Sequence, residues 1–341
     1  MTMSRDSRIK WTIIGLTVCA AAALIRVHDL HFPPADATSP LVIAALLAVV
    51  AWYYHRRDEE NFVACANALL HVTLYTACYS VLMYAAAALN RPLIDDWLIR
   101  CDALAGVHLP AIVEWSNAHP RVESALQLAY NSVLLQTPLV IVVLGFSGDR
   151  KSLEQFVMQF MLGTWICLVG FCLWPAAGPF ATFDIPANAT QTRYLQHLHE
   201  LREGVRTVVT WRGAEGLITF PSFHTTWALI LAWAVRRRPL LFVLSCVLNG
   251  AVIAATMTTG WHYLTDVIGG AALGVGVITL TTRSADVINE MSGGMLRRLR
   301  RVAVPAKRRA PELERHPARG RCCRSGRTAR LPATHRRAQG A

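Results

Sequence analysis

The sequence predicts an all-α fold, a polytopic membrane helical bundle with about eight transmembrane helices. Three observations predict it. Of the 341 residues, 53% are hydrophobic and 16% charged, against roughly a quarter charged in soluble domains. Between Met1 and Thr282 the apolar residues fall in repeated runs nearly free of charge, each long enough to cross a hydrocarbon layer of about 30 Å as a helix. Basic residues collect in alternate loops, as they do in a chain that threads a membrane repeatedly. A cytosolic enzyme, a collagen, a disordered chain and a disulfide-stapled secreted scaffold are excluded.

The spans are expected at roughly 11–27, 40–54, 62–89, 124–146, 153–174, 219–235, 239–258 and 262–282. Trp52, Tyr53 and Tyr54 close the short second span as an interfacial aromatic belt. The first span, with its basic start and Ala20 to Ala23, also has the pattern of a signal peptide; an uncleaved anchor is preferred. With a cytoplasmic N-terminus, the inside segments hold Arg5, Arg8, Lys10, Arg56, Arg57, Arg150, Lys151 and Arg236 to Arg238. The outside segments hold Arg91, Arg100, Arg121, Arg193, Arg202, Arg206 and Arg212, all in two longer loops. Both termini are therefore expected in the cytoplasm of a multi-pass plasma-membrane protein.

The formal charge of +12 comes from the end of the chain. Residues 283–341 hold 16 Lys and Arg against 4 Asp and Glu, while residues 1–282 hold 18 of each. This tail, rich in Arg, Pro, Gly and Ala, is expected to be disordered and cytoplasmic, lying on anionic lipid rather than on a specific nucleic acid. Acylation of Cys322 and Cys323 has no supporting signature. Cys19, Cys65, Cys78, Cys167, Cys172 and Cys246 lie inside apolar runs as packing residues. Of the outer loops, residues 90–123 suggest an interfacial amphipathic helix carrying Asp95, Asp96, Trp97, Asp102 and Trp115. Residues 175–218 form a polar loop of a length usual for functional segments.

The chemistry concentrates in Phe220-Pro221-Ser222-Phe223-His224 and in Thr259-Gly260-Trp261-His262-Tyr263-Leu264-Thr265-Asp266. Each segment opens an apolar helix, and the topology puts both openings on the outer face. His262 and Asp266 are four apart and share a helix face. A carboxylate there can fix the tautomer of one imidazole and leave its second nitrogen free to attack. His224 can supply a proton to a leaving oxygen. Helix N-termini add unpaired N–H groups and positive dipole ends, which suit an anion such as phosphate. Loop arginines can clamp its oxygens. A zinc site built on the same three residues is the alternative, disfavoured because no carboxylate-rich surround accompanies them. His71, in the third span, is expected to bond a neighbouring helix, and His197 and His199 to be exposed. Gly269, Gly270, Gly274 and Gly276 read as a close-packing stripe.

FPSFH followed by GWHYLTDVIGG resembles the second and third signature motifs of the type-2 phosphatidic acid phosphatase superfamily, PSGH and SRxxxxxHxxxD. LREG, EGLITFPSFHTTWA and GWHYLTDVIGG together resemble the inositol phosphorylceramide synthase-like, inositolphosphotransferase branch. The motif-bearing likeness covers about residues 175–280, and a weaker one reaches back to about 120 through Tyr130-Asn131-Ser132. The resemblance implies a phosphatidic acid phosphatase type 2-like core that transfers phosphoryl groups on lipids without a metal or other cofactor. It implies His262 as nucleophile, Asp266 as its orienting carboxylate, His224 as acid and base, and Ser222 as a phosphate contact. The sequence departs from the motifs at three places. Phe223 replaces the PSGH glycine, Ala255 and Thr256 replace Ser-Arg, and Tyr84 stands where the first motif KxxxxxxRP has its lysine before Arg91-Pro92. Arg202, in Leu201-Arg202-Glu203-Gly204, is expected to be the replacement phosphate ligand, with Arg206 and Arg193 behind it.

The expected organisation is then N-terminal helices and an outer loop over 1–118, a phosphatase- or phosphotransferase-like core over 119–282, and the basic tail over 283–341. The expected function is a membrane phosphoesterase or phosphotransferase acting on a lipid-linked phosphate. The alternatives are a non-catalytic lipid-phosphate binder or transporter, and a scaffold acting through its tail.

Overall fold

A computed structural model describes residues 5–183, 185–211 and 214–303. Arg212 and the tail beyond residue 303, with Cys322 and Cys323, lie outside the described residues. The chain divides into two units, Met1–Glu290 and Met291–Ala341, and the first contains the site and every long helix except the end of α12.

Proline or a capping side chain marks several of the helix starts. The elements are α1 (Arg5–Val27), α2 (Thr38–His55), α3 (Glu60–Ala87), α4 (Asp95–Leu104), α5 (Leu109–Asn117), α6 (Pro120–Phe146), α7 (Arg150–Leu173), the single turn α8 (Pro179–Thr182), α9 (Ala189–Arg202), α10 (Phe223–Ala234), α11 (Pro239–Thr258) and α12 (Leu264–Ala303). Pro120 and Pro239 open α6 and α11 at the first helical position, where a missing N–H costs nothing. Asp149 caps α7 by accepting from Ser152 N, and Asn188 caps α9 in a reciprocal box with Gln191.

Among the described residues, seven helices are long and apolar enough to cross a membrane: α1, α2 with the 3-10 turn before it, α3, α6, α7, α11 and the first part of α12. The eighth expected span is the short helix α10, of 12 residues, about 18 Å long. Its expected first part, Thr219 to Ser222, is not helical, because Pro221 lacks an N–H and Ser222 acts as the cap. At the other end α12 continues to Ala303, past the boundary expected at 282. The interfacial stretch is two short helices, α4 and α5, rather than one.

α7 is the hub. Its apolar window is 56% buried, against 11% for α2 at the periphery. α3 packs on α1, α2, α6 and α7, while α10 packs on α6, α7 and α11. Polar side chains join the helices where no water can satisfy them. The Tyr75 and Tyr79 hydroxyls donate to the Met161 and Thr164 carbonyls, Asn249 Nδ2 donates to Gln136 Oε1 at 2.9 Å, and Gln159 Nε2 donates to Thr281 Oγ1 at 2.9 Å. His71 bonds the Asn67 carbonyl of its own helix rather than a neighbour. Leu128, Leu134, Leu135, Val243, Val247, Ile268 and Val275 remain exposed on the outer faces of α6, α11 and α12, where an apolar surround suits them.

Of the glycine stripe, Gly269, Gly270 and Gly274 pack closely, whereas Gly276 meets nothing within 4 Å. A Cβ on Gly270 would stand 2.2 Å from the Ser222 carbonyl oxygen, and one on Gly274 would stand 3.1 Å from Leu229. α12 therefore lies backbone-close against α10, bringing their two N-terminal ends together.

Candidate active site

The site is assembled at the end of the bundle where α10 and α12 begin. α11 ends at Thr258, and Gly260 follows its C-cap with a φ of +75° that suits glycine. The chain then turns so that His262 N donates to the Thr256 carbonyl at 3.0 Å. This buries His262 just before α12. Asp266, one turn into that helix and fully buried, accepts from Tyr263 N at 3.0 Å through Oδ2. The same oxygen lies 3.3 Å from His262 Nδ1. Asp266 Oδ1 is buried with no hydrogen-bond partner among the described residues.

His224 sits in the first turn of α10. Its ring centroid is 6.1 Å from that of His262, although the chain between them runs up and back along α10 and α11. Tyr130 of α6 stacks on His224 at 4.3 Å and 22°, with its hydroxyl 3.4 Å from Nδ1. The structure thus brings together His224, His262 and Asp266, and adds Tyr130. The only signal for Tyr130 in the sequence is its place in the weaker upstream likeness.

Ser222 is the N-cap of α10. Its hydroxyl accepts from Thr225 N at 3.3 Å and from Thr225 Oγ1 at 3.1 Å, and its own proton remains to donate. The N–H groups of Phe223 and His224, the first two of α10, have no hydrogen-bond partner among the described residues.

The start of α12 is different from the expectation of free N–H groups at both helices. Asp102 of α4 accepts from Leu264 N at 2.8 Å, Thr265 N at 2.9 Å and Thr265 Oγ1 at 2.6 Å. Asp95, seven residues earlier on the same face, accepts from Ala177 N at 2.9 Å, Gly178 N at 2.8 Å and the Tyr263 hydroxyl at 3.0 Å. Sequence reasoning placed both aspartates at an interface. Their sequence signal was Asp95, Leu98 and Asp102 at i, i+3 and i+7, now the buried face of α4.

The three loop arginines separate cleanly. Arg206 is held by Glu200, with Nη2 to Oε2 at 2.8 Å, and Arg193 by Glu215 at 2.8 Å. Arg202, in the last turn of α9, has no carboxylate ion pair among the described residues. Partial burial pulls its guanidinium pKa down, while the nearby Tyr194 and Asp95 pull it up; at this chemistry's pH it stays charged. The Tyr194 hydroxyl meets Thr219 Oγ1 at 2.8 Å, and the Thr219 backbone also lies against the His262 ring, so α9 borders the histidine pair. Phe180, Tyr194 and Trp261 form an aromatic cluster beside it. Tyr84, at the expected position of a motif lysine, bonds His197 Nδ1 at 2.8 Å. Among the described residues no group of three His, Cys, Asp or Glu side chains is placed to hold a metal ion.

Neither the curated proteins nor the solved structures contain a match to the chain. The family model of the PAP2 superfamily matches residues 96–280. That stretch runs from α4 through the start of α12 and takes in Tyr130, Arg202, Ser222, His224, His262 and Asp266, so that over more than half its length this chain belongs to the PAP2 superfamily, the type-2 phosphatidic acid phosphatases.

Proposed function

We propose that the protein is an integral membrane phosphoesterase or phosphotransferase acting on a lipid-linked phosphate through a phosphohistidine at His262. Superfamily members are generally phosphatases and phosphotransferases, which supports the reaction class. The observation that carries the mechanism is the His224–His262 pair, with rings 6.1 Å apart and Asp266 on His262 Nδ1.

With its Nδ1 proton donated to Asp266, His262 keeps the Nε2 lone pair for attack on phosphorus. As the N–P bond forms, the P–O bond to the lipid alkoxide breaks, and His224 gives that oxygen a proton. In the second half, His224 takes a proton from water or a lipid hydroxyl, whose oxygen attacks phosphorus as the N–P bond breaks. The Phe223 and His224 N–H groups, the Ser222 hydroxyl and Arg202 hold the phosphoryl oxygens. Arg206 stands behind them, engaged with Glu200. The Leu201-Arg202-Glu203-Gly204 segment favours the inositolphosphotransferase branch, in which a lipid hydroxyl is the acceptor. The partners are therefore the lipid phosphate and the surrounding membrane lipids, with no cofactor. The bundle end opposite the site carries Arg56, Arg57, Arg150, Lys151 and Arg236 to Arg238, which supports an extracytoplasmic site with both termini in the cytoplasm.

The experiment is a screen of purified protein in proteoliposomes against phosphatidate, polyprenyl diphosphate and phosphatidylinositol, with acid-quench trapping of the phosphoenzyme. The expected result is turnover of one class and a label lost in His262→Ala. One observation favours a second reading, a lipid-phosphate binder: the motif Ser-Arg positions are Ala255 and Thr256, and Arg193 and Arg206 are already ion-paired. Saturable lipid-phosphate binding with no label and no turnover would establish that reading instead.

A further inference from the structure

Successive backbone N–H groups form concave sites that attract anions. Three such pairs surround His262: Ala177 with Gly178, Leu264 with Thr265, and Phe223 with His224. The first two are filled by carboxylates of the protein itself, Asp95 and Asp102, at 2.8–2.9 Å. Of the three, only the third pair is without a partner among the described residues. Both carboxylates ride on one face of α4 and are buried, with the fully buried Leu98 between them. Neither has a cationic ion-pair partner among the described residues; each is saturated by N–H and hydroxyl donors. Beside them Asp266 Oδ1, fully buried and without a partner, leaves a polar group unanswered next to His262.

We infer that Asp95 and Asp102 are positioning residues that act as tethered anions: they occupy the two backbone anion sites flanking His262 and so reserve the phosphoryl group for the start of α10. This rests on the reading of the site given above. A phosphate seated on Leu264 and Thr265 would lie at the start of the helix that carries Asp266, away from the His224 proton. Asp102 denies it that seat. The same three hydrogen bonds tie the first turn of α12 to α4 and hold His262 and Asp266 in register. Asp95 does the equivalent for the 176–178 turn and, through the Tyr263 hydroxyl, for the residue next to His262.

The test uses the full chain in nanodiscs, with orthophosphate binding by calorimetry measured beside lipid-phosphate turnover. Wild type is expected to bind one orthophosphate. Asp102→Ala is expected to bind a second, or to bind at least tenfold more tightly, while turnover falls at least tenfold. Asp96→Ala, on the exposed face of α4, is expected to match wild type in both. Wild-type stoichiometry and affinity in Asp102→Ala overturn the inference whether or not turnover falls, because a purely structural role predicts lost turnover alone. Asp102→Asn keeps the shape and one acceptor oxygen, and covers failure of the alanine variant to insert. It is expected to tighten phosphate at least threefold, and unchanged binding overturns the inference. A wild type that turns over no lipid phosphate, with the extra phosphate still appearing in Asp102→Ala, removes the enzyme reading and leaves the anion-site assignment standing.

Discussion

The Tyr130 ring lies nearly parallel on the imidazole of His224, 4.3 Å away, with its hydroxyl 3.4 Å from Nδ1. A phenol both donates and accepts; in the proposed acid form His224 carries both ring protons, with Nδ1–H donated to the Tyr130 hydroxyl and Nε2–H turned to the leaving oxygen. His262 is set differently, because a carboxylate faces its Nδ1 and its Nε2 keeps a lone pair. The two imidazoles thus present one proton and one lone pair, the complementary equipment for displacing an alkoxide from phosphorus.

His224→Ala should therefore fail in a manner that depends on the leaving group. On a lipid substrate with a poor alkoxide leaving group, kcat should fall by about 10²–10⁴. On an aryl phosphate, which leaves without protonation, the loss should be much smaller, whereas His262→Ala should lose both. Tyr130→Phe keeps the stacked ring and removes the hydroxyl that partners Nδ1; its kcat should fall several-fold with KM unchanged. Equal losses on both substrates in His224→Ala would argue against an acid role.

Among the loop arginines the ion pairs decide which can serve the substrate. Arg202→Ala should raise KM for the lipid phosphate at least tenfold, the effect of losing a charge-assisted contact of about 1.5–3 kcal/mol. Arg202→Lys should recover part of it. Arg206→Ala and Arg193→Ala remove exposed or half-exposed pairs worth about 0–1 kcal/mol, and should change KM by no more than about threefold. Steady-state kinetics on the four variants ranks them, and a KM effect confined to Arg206 would reassign the phosphate ligand.

Most of the fold was legible because membrane spans announce themselves by length and apolarity, and because the catalytic candidates sit in contiguous motifs. α10 was read as a full span because apolar content does not register that Pro221 and Ser222 delay the helix start. Asp95 and Asp102 were read as interfacial because charge on a short amphipathic segment normally faces water. What buries them is the supply of backbone N–H groups from Ala177, Gly178, Leu264 and Thr265, residues about 80 and 160 positions away. The sequence ranks Arg202 ahead of Arg206 on its Leu201-Arg202-Glu203-Gly204 stretch alone; that Glu200 folds back onto Arg206 was not legible, because it depends on how the loop closes. Tyr130 carried no signal of its own, since a tyrosine in a span is ordinary until a histidine is stacked on it.

The loop that holds Arg202 should respond to pH through His197. Burial, and then the nearby Arg206, hold its pKa below the ordinary histidine value, and its neutral Nδ1 accepts from the Tyr84 hydroxyl, which in turn accepts from Glu215 N. The unfolded state binds the proton more readily than the folded one. The loop's stability is therefore fully present above about pH 6.5 and is lost as pH falls below it. Hydrogen-exchange protection of residues 189–211, taken relative to the intrinsic exchange rate at each pH, should fall between about pH 7 and pH 5. His197→Gln, which stays neutral, should flatten that dependence; an unchanged profile in the variant would assign the titration elsewhere.

The contact between α10 and α12 offers the sharpest mechanical test of how the site is held. At Gly270 a methyl group would sit 2.2 Å from the Ser222 carbonyl oxygen and 3.1 Å from Thr225 Cβ, both parts of the α10 cap rather than ends of flexible side chains. Gly270→Ala must therefore push the helices apart, at a cost of roughly 1–3 kcal/mol. The displacement starts at Ser222, next to the Phe223 and His224 N–H groups, so activity should fall by more than the folded fraction does. Gly276, six residues along the same helix, meets nothing within 4 Å. Alanine there should leave activity intact and raise stability by a few tenths of a kcal/mol, up to about 1. Thermal unfolding and turnover measured side by side separate the two variants. If Gly270→Ala melted and turned over like Gly276→Ala, the close approach of α12 to α10 would not be what sets the distance between His262 and His224.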